Sequence, residues 1–235
     1  MTETNEIKTS LYTRKITCPV CQKPFETTRV KTSAIRTSSR ESDFYARYVG
    51  DDPTWYEVYV CPNCGYSGFD TGFQEISPAQ IERVRQMIQP RWNPRDFGGP
   101  RTIQEAIEAH MLALVCYQVI GAKRSALGKI SLRLAWLYRT LGDAKEKDYL
   151  EAALKHLQEA YTTERLDEEK SNEINIMYLM GELSRRLGYY PEASRWFSTL
   201  LEEPELKKNR LLLQRVREQM SQTREDYNRA KGASS

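Results

Sequence analysis

An α+β protein, mainly α, is predicted by three features of the sequence. Two Cys-Pro-x-Cys knuckles, Cys18 to Cys21 and Cys61 to Cys64, stand in the first third of the chain. Segments rich in aromatic and β-branched residues lead into and out of them. From Thr102 onward, apolar residues recur at steps of three and four, the period of one helix face. A β domain built on the cysteines, followed by a domain of antiparallel helices, is the architecture these features describe.

Two Cys separated by two residues can turn back on one ion, and two such turns supply the four thiolates of a closed tetrahedral zinc site. Cys18, Cys21, Cys61 and Cys64 are the predicted ligands of one Zn2+, in a split zinc ribbon. With every position filled by thiolate, no place is left for water, so the metal is expected to be structural. Gly65 suits the positive φ that a knuckle turn requires. Leu11 to Thr17 and Pro24 to Lys31 form a predicted hairpin around the first knuckle, and Trp55 to Val60 is the predicted strand feeding the second. Between the arms, residues 32–54 form a long insertion that presents Arg36, Arg40, Asp43, Tyr45 and Tyr48 as a candidate loop site. From Arg14 to Arg47 there are eight Lys or Arg against three acids, the one local charge bias in a chain of net charge +3.

Thr17 to Cys21, the Ser-x-x-Arg of Ser33 to Arg36, Ser42-Asp43-Phe44-Tyr45 and Tyr59 to Tyr66 resemble the bacterial domain of unknown function 2225 family. That resemblance runs over most of the chain, a cysteine-rich first half and a helical remainder. It implies a bacterial cytoplasmic protein and brings no catalytic role. It falls on Arg36, Arg40 and Asp43, whose plain alternative is a loop-stabilising ion pair with turn contacts.

Ser77-Pro78 caps a helix running from Gln80 to Gln89, and residues 90–100, with Pro90, Pro94, Gly98, Gly99 and Pro100, read as a linker. Domains are therefore expected at 1–89 and 101–230, with a disordered tail at 231–235. Further helices are expected from Thr102 to Ile120, from Leu127 to Leu141, from Tyr149 to Tyr161, around Met177 to Leu187, from Pro191 to Leu201 and from Leu206 to Ala230. Gly121, Gly142 and Gly188 end three of them. Met180-Gly181, Leu187-Gly188, Ala193, Phe197 and Leu200 match Leu134-Ala135, Leu141-Gly142, Ala153, Leu157 and Ala160. The pattern is similar to the tetratricopeptide repeat, whose helix pairs stack in a row, and its plain alternative is an irregular helical bundle. That resemblance implies a concave groove lined by first helices, with Lys129, Leu132, Trp136 and Arg139 in one pair and Asn175, Tyr178, Glu182 and Arg185 in the next, suited to an extended peptide.

The first residues, Met1 to Lys8, are polar, and no later run approaches the length of a membrane span, so a cytoplasmic protein without a membrane partner is expected. No phosphate-cradling loop, nucleophile elbow or paired-carboxylate motif stands out, and acidic pairs such as Glu168-Glu169 and Glu202-Glu203 read as solvated. His110 and His156 read as structural, and Cys116 as a small buried residue. The chain is thus expected not to be an enzyme and to have no small-molecule substrate. Its expected partner is a protein; the alternative is a nucleic acid touched by the basic, aromatic loop.

Overall fold

The computed structural model describes residues 10–164 and 170–232. The polar opening residues, Glu168-Glu169 and residues 233–235 of the expected tail lie outside them. The fold is α+β and mainly α, in two compact units. One comprises Ala46–Ala122 with the residues up to Arg40, and the other Glu41–Tyr45 with the residues from Lys123 onward.

In the first unit, β1 (Leu11–Thr17) pairs antiparallel with β2 (Pro24–Val30) in a continuous register from Leu11 opposite Val30 to Thr17 opposite Pro24. The first knuckle is the tip of this hairpin, as its sequence predicts. The insertion folds as a second hairpin, β3 (Thr37–Arg40) with β4 (Ala46–Tyr48). A third pair, β5 (Val58–Val60) with β6 (Ser67–Phe69), carries the second knuckle.

The strand expected from Trp55 begins only at Val58. Asp52 accepts from the Thr54 amide at 2.8 Å and Pro53 fixes φ behind it, so Pro53–Tyr56 winds into a 3-10 turn. Phe73 packs among aromatic rings of this unit, with those of Phe25, Tyr59 and Tyr66 at 6.0, 5.5 and 4.8 Å. Helix α1 (Pro78–Met87) starts in a capping box made by Ser77 and Gln80. Helix α2 (Ile103–Ile120) has a capping box of its own from Thr102 and Glu105.

The sequence places a domain break at 90–100, but this stretch and α2 both belong to the first unit. The reason is a buried arginine. Arg101 is 6% exposed and donates to the carbonyls of Phe97, Trp55 and Val58 at 2.8 to 3.1 Å. Burial pushes its guanidinium down to about 10. Cys116 on α2 accepts the Ser67 amide at 3.3 Å, and Tyr117 accepts that of Phe69 at 2.9 Å, so α2 packs on β6 within the first unit.

The second unit contains α3 (Arg124–Leu141), α4 (Lys145–Thr163), α5 (Lys170–Arg186), α6 (Tyr190–Glu202), α7 (Pro204–Lys208) and α8 (Arg210–Gly232). Helices α3 and α4 pack as one hairpin and α5 and α6 as the next, with α4 against α5 and α6 against α8. Close approach in the second hairpin depends on Gly181, where a Cβ would stand 2.7 Å from the Phe197 ring. Two boundaries differ from expectation. The last helix breaks at Asn209, whose side chain accepts the Leu212 amide at 3.0 Å and restarts the chain as α8. Residues 231–232 of the expected tail are helical. Among the described residues, no helix is long and apolar enough to cross a membrane.

Candidate functional site

The two knuckles have one backbone plan. The Cys18 amide donates to the Lys23 carbonyl at 3.0 Å and the Gln22 amide to Cys18 at 2.9 Å; Cys61 and Gly65 repeat this with Tyr66 and Cys61, both at 2.9 Å. Each turn is closed by a residue of positive φ, Gln22 at 60° and Gly65 at 76°. Gln22 bears it with a hydrogen bond from its side chain to the Pro19 carbonyl at 2.8 Å. At Gly65 a Cβ would stand 2.7 Å from the Trp92 ring, whose Nε1 donates to the Pro62 carbonyl at 2.8 Å.

These turns bring the Sγ atoms of Cys18, Cys21, Cys61 and Cys64 within 4.8 Å of one another. Cys18 to Cys64 and Cys21 to Cys61 are both 3.6 Å, far outside a disulfide bond, and all four are free thiols. Cys18, Cys61 and Cys64 are buried and Cys21 is half-buried. Backbone amides aim at the sulfurs: Cys21 at Cys18, Asn63 and Cys64 at Cys61, and Tyr66 at Cys64. Hydrogen bonds with Cys18 and Cys64 hold the Cys61 thiol far below its ordinary range, while the contact with Cys61 pushes Cys18 upward and the contacts with Cys18 and Cys61 push Cys64 upward. One thiolate therefore makes the next costly unless a cation compensates them. The four sulfurs form a site able to hold a metal ion. Cys116 is no member of it; burial pushes its thiol up to about 12.

A second cluster lies in the helical unit, around Glu41–Tyr45 at the tip of the β3–β4 hairpin. The tip closes on itself, with the Glu41 amide donating to the Tyr45 carbonyl at 2.7 Å, and Phe44 takes a φ of 70°. Asp43 is fully buried. Its carboxylate accepts from Arg139 Nη2 at 2.7 Å and Trp136 Nε1 at 3.0 Å, with Arg186 Nη2 at 3.7 Å. Burial pushes this carboxyl up, but the Arg139 hydrogen bond and the charges of Arg186 and Arg139 outweigh it and leave the group below its ordinary range. Arg139 also reaches Glu41 at 2.5 Å and Glu146 at 2.6 Å. Ser42 donates to the buried Glu182 at 2.6 Å, and its carbonyl accepts from the Tyr178 hydroxyl at 2.8 Å. The Tyr45 ring stacks on Trp136 at 5.0 Å, and the Phe44 ring lies 4.9 Å from that of Tyr178.

The predicted loop site is therefore divided. Asp43 and Tyr45 are buried in the second unit, whereas Arg36, Arg40 and Tyr48 belong to the first, the two arginines exposed and Tyr48 half-buried in β4. Of the predicted groove, Trp136, Arg139 and Tyr178 converge on the tip. Arg185 instead pairs with Glu182 and Asp226, at 2.8 and 2.7 Å. Lys129 is exposed on α3 and Asn175 half-buried on α5. Sequence reasoning missed Arg186, though it follows Glu182 by four residues and pairs with it at 2.8 Å, the spacing of neighbours on a helix face. It also missed Glu41, which lies directly before the family-like Ser42-Asp43-Phe44-Tyr45.

A family model described as "Uncharacterized protein conserved in bacteria (DUF2225)" matches residues 11–223. A protein of Borreliella burgdorferi, described as an uncharacterized protein, is 25% identical over 221 residues, which cover 83% of this chain and 78% of that one. No solved structure matches the chain. The matched span takes in both cysteine pairs, the hairpin tip and the helices that hold it, and the chain belongs to the bacterial family DUF2225.

Proposed function

We propose that the protein is a non-catalytic adaptor, in which a zinc ribbon stabilised by one structural Zn2+ is joined to a small tetratricopeptide-like scaffold that docks a protein partner in the cytoplasm. The observation that carries the docking role is the hold on Glu41–Tyr45. Side chains from the first helices of two successive hairpins, Trp136 and Arg139 on α3 and Tyr178 and Arg186 on α5, grip a short stretch of polypeptide by its carboxylates, its rings and a carbonyl. Such a mixture of Arg and aromatic groups is what peptide-binding surfaces use. Zinc is favoured by the cysteine geometry. Zn–S bonds of about 2.3 Å at tetrahedral angles separate sulfurs by about 3.8 Å, close to the 3.6 Å spacings here. Four thiolates and their amide donors would hold the ion closed to water, which supplies folding energy rather than a reactive centre.

Nucleic-acid binding is the second reading, favoured by Arg14 and Lys15, which lie exposed beside Tyr12 on β1, and by exposed Arg36 and Arg40. Phe44 and Tyr45, packed in the helical unit, give it no help.

Purification of the tagged full-length protein from its host, with and without nuclease, tests the two readings against each other. A defined protein retained after nuclease, and lost from an Arg139→Ala/Arg186→Ala variant, is the expected result. Retention that collapses with nuclease would move the function to nucleic acid, and the absence of any retained protein would overturn the adaptor reading.

A further inference from the structure

The hairpin tip is held by the means with which proteins bind peptide ligands. The sequence Glu41-Ser42-Asp43-Phe44-Tyr45 meets two arginines, two aromatic platforms and a hydroxyl that captures one of its carbonyls. Arg139 bridges two of the tip's acids, one on each side of Ser42, and Arg186 stands within 3.4 Å of Glu41 and 3.7 Å of Asp43. The spacing of acid, Ser, acid, aromatic and aromatic is thus read residue by residue. The Tyr178 hydroxyl donates to the Ser42 carbonyl at 2.8 Å. The tip's side chains meet the arginines and the aromatic platforms, which makes the hold selective for sequence.

A second observation points to an outside ligand. An open cleft of about 880 Å³ is lined by Arg186 and Glu146, which also border the tip's charge network, and by Lys147, Leu150, Leu187 and Tyr190. The cleft thus shares Arg186 and Glu146 with that network, and its charged and apolar walls are open.

We propose that the helical groove recognises partner segments of the pattern acid-x-acid-aromatic-aromatic, and that Glu41–Tyr45 is a resident copy of this ligand, which an incoming segment displaces from the open cleft inward. This inference rests on the docking role proposed above and names the chemistry of the partner. The cost of displacing a tethered copy lowers the apparent affinity of any partner, by mass action between an intramolecular and a free ligand.

The test uses the full-length protein and a fluorescent peptide of residues 38–48. Wild type is expected to bind it weakly, because its own tip holds the groove. The Asp43→Ala/Tyr45→Ala variant, checked for folding by circular dichroism, is expected to bind at least tenfold more tightly. Adding Arg139→Ala should remove that binding, and an unlabelled peptide with alanine in place of Asp43 should not compete. A folded tip variant that binds no better than wild type overturns the proposal while leaving partner docking elsewhere on the scaffold intact. Should the alanine variant unfold, Asp43→Asn/Tyr45→Phe keeps the shape and replaces it. Unfolding of both would show that the helical unit does not fold without its tip, and would overturn the proposal. Dimers formed by exchange of tips between chains would name a second copy as the occupant, and would overturn it in favour of self-assembly.

Discussion

At the residue scale, Gly65 and Gln22 show why two equivalent turns carry different side chains. Both close a knuckle with positive φ, so backbone conformation alone does not demand glycine. What separates them is Trp92, whose ring would lie 2.7 Å from a Cβ at Gly65. Gly65→Ala would therefore suffer both the left-handed backbone and the displacement of a packed indole, for about 2–3 kcal/mol of lost stability. Gly142, with φ of 67° and nothing within 4 Å of its Cβ position, would suffer the backbone term alone, about 1 kcal/mol. Urea denaturation of the two alanine variants measures the difference; equal losses would show that Trp92 yields freely. Arg101 offers a test of another kind. Its loss leaves the carbonyls of Phe97, Trp55 and Val58 without this donor, so Arg101→Met is expected to cost about 3 kcal/mol despite the gain in apolar surface. A loss under about 1 kcal/mol would mean that water takes the place of the guanidinium.

At the scale of elements, the hairpin tip ties its stability to pH through Asp43. Its folded carboxyl lies below the ordinary value of 3.8, so its stabilisation is present above that value and is lost as pH falls through the folded one. Acid unfolding of the helical unit should accordingly steepen below about pH 4, and Asp43→Asn should flatten that slope while lowering stability at neutral pH by about 2 kcal/mol. An unchanged acid limb would assign it to other carboxylates. Little of this element is legible in the sequence. The contacts of Asp43 lie 93 and 96 residues away, and nothing local distinguishes an acid that pairs with a distant arginine from one on a solvated loop. The elements that were legible depend on near neighbours. Gly121, Gly142 and Gly188 end their helices with positive φ, and β1 runs straight into Cys18. Where a local cap opposed the wider pattern, the cap prevailed. Asp52-Pro53 turned a strand-like run into a 3-10 turn, and Asn209 split one long amphipathic helix into two. The four cysteines were legible because their spacing is itself the geometry; the burial of Arg101 was not, since a proline- and glycine-rich stretch gives no sign of what it packs against.

At the scale of the whole molecule, two separate cores imply two separate sources of stability. One cluster gathers Val20, Phe25, Tyr59, Tyr66 and Phe73 around the cysteines, and the other joins Trp136, Leu154, Met177, Phe197 and Val216 with Tyr45. The first contains the cysteine site at its centre, and its sheets have two strands each, a size that is marginal without further support. Metal binding would supply that support, because four thiols that repel each other as thiolates become ligands once a divalent ion stands between them. The second core packs helix against helix, with Tyr45 of the hairpin tip among them, and lies apart from the cysteines. A chelator strong enough to compete for zinc should therefore abolish the near-ultraviolet signal of the first unit while leaving most of the helical signal at 222 nm, and a thermal scan should lose one of two transitions. Cys61→Ser should reproduce that result without a chelator, whereas Cys116→Ser, outside the cluster, should keep both transitions and one zinc per chain by mass spectrometry. If chelation left both transitions in place, the cysteines would hold their turns through the amide hydrogen bonds and the Trp92 contact alone, and the metal would have to be sought for a purpose other than folding.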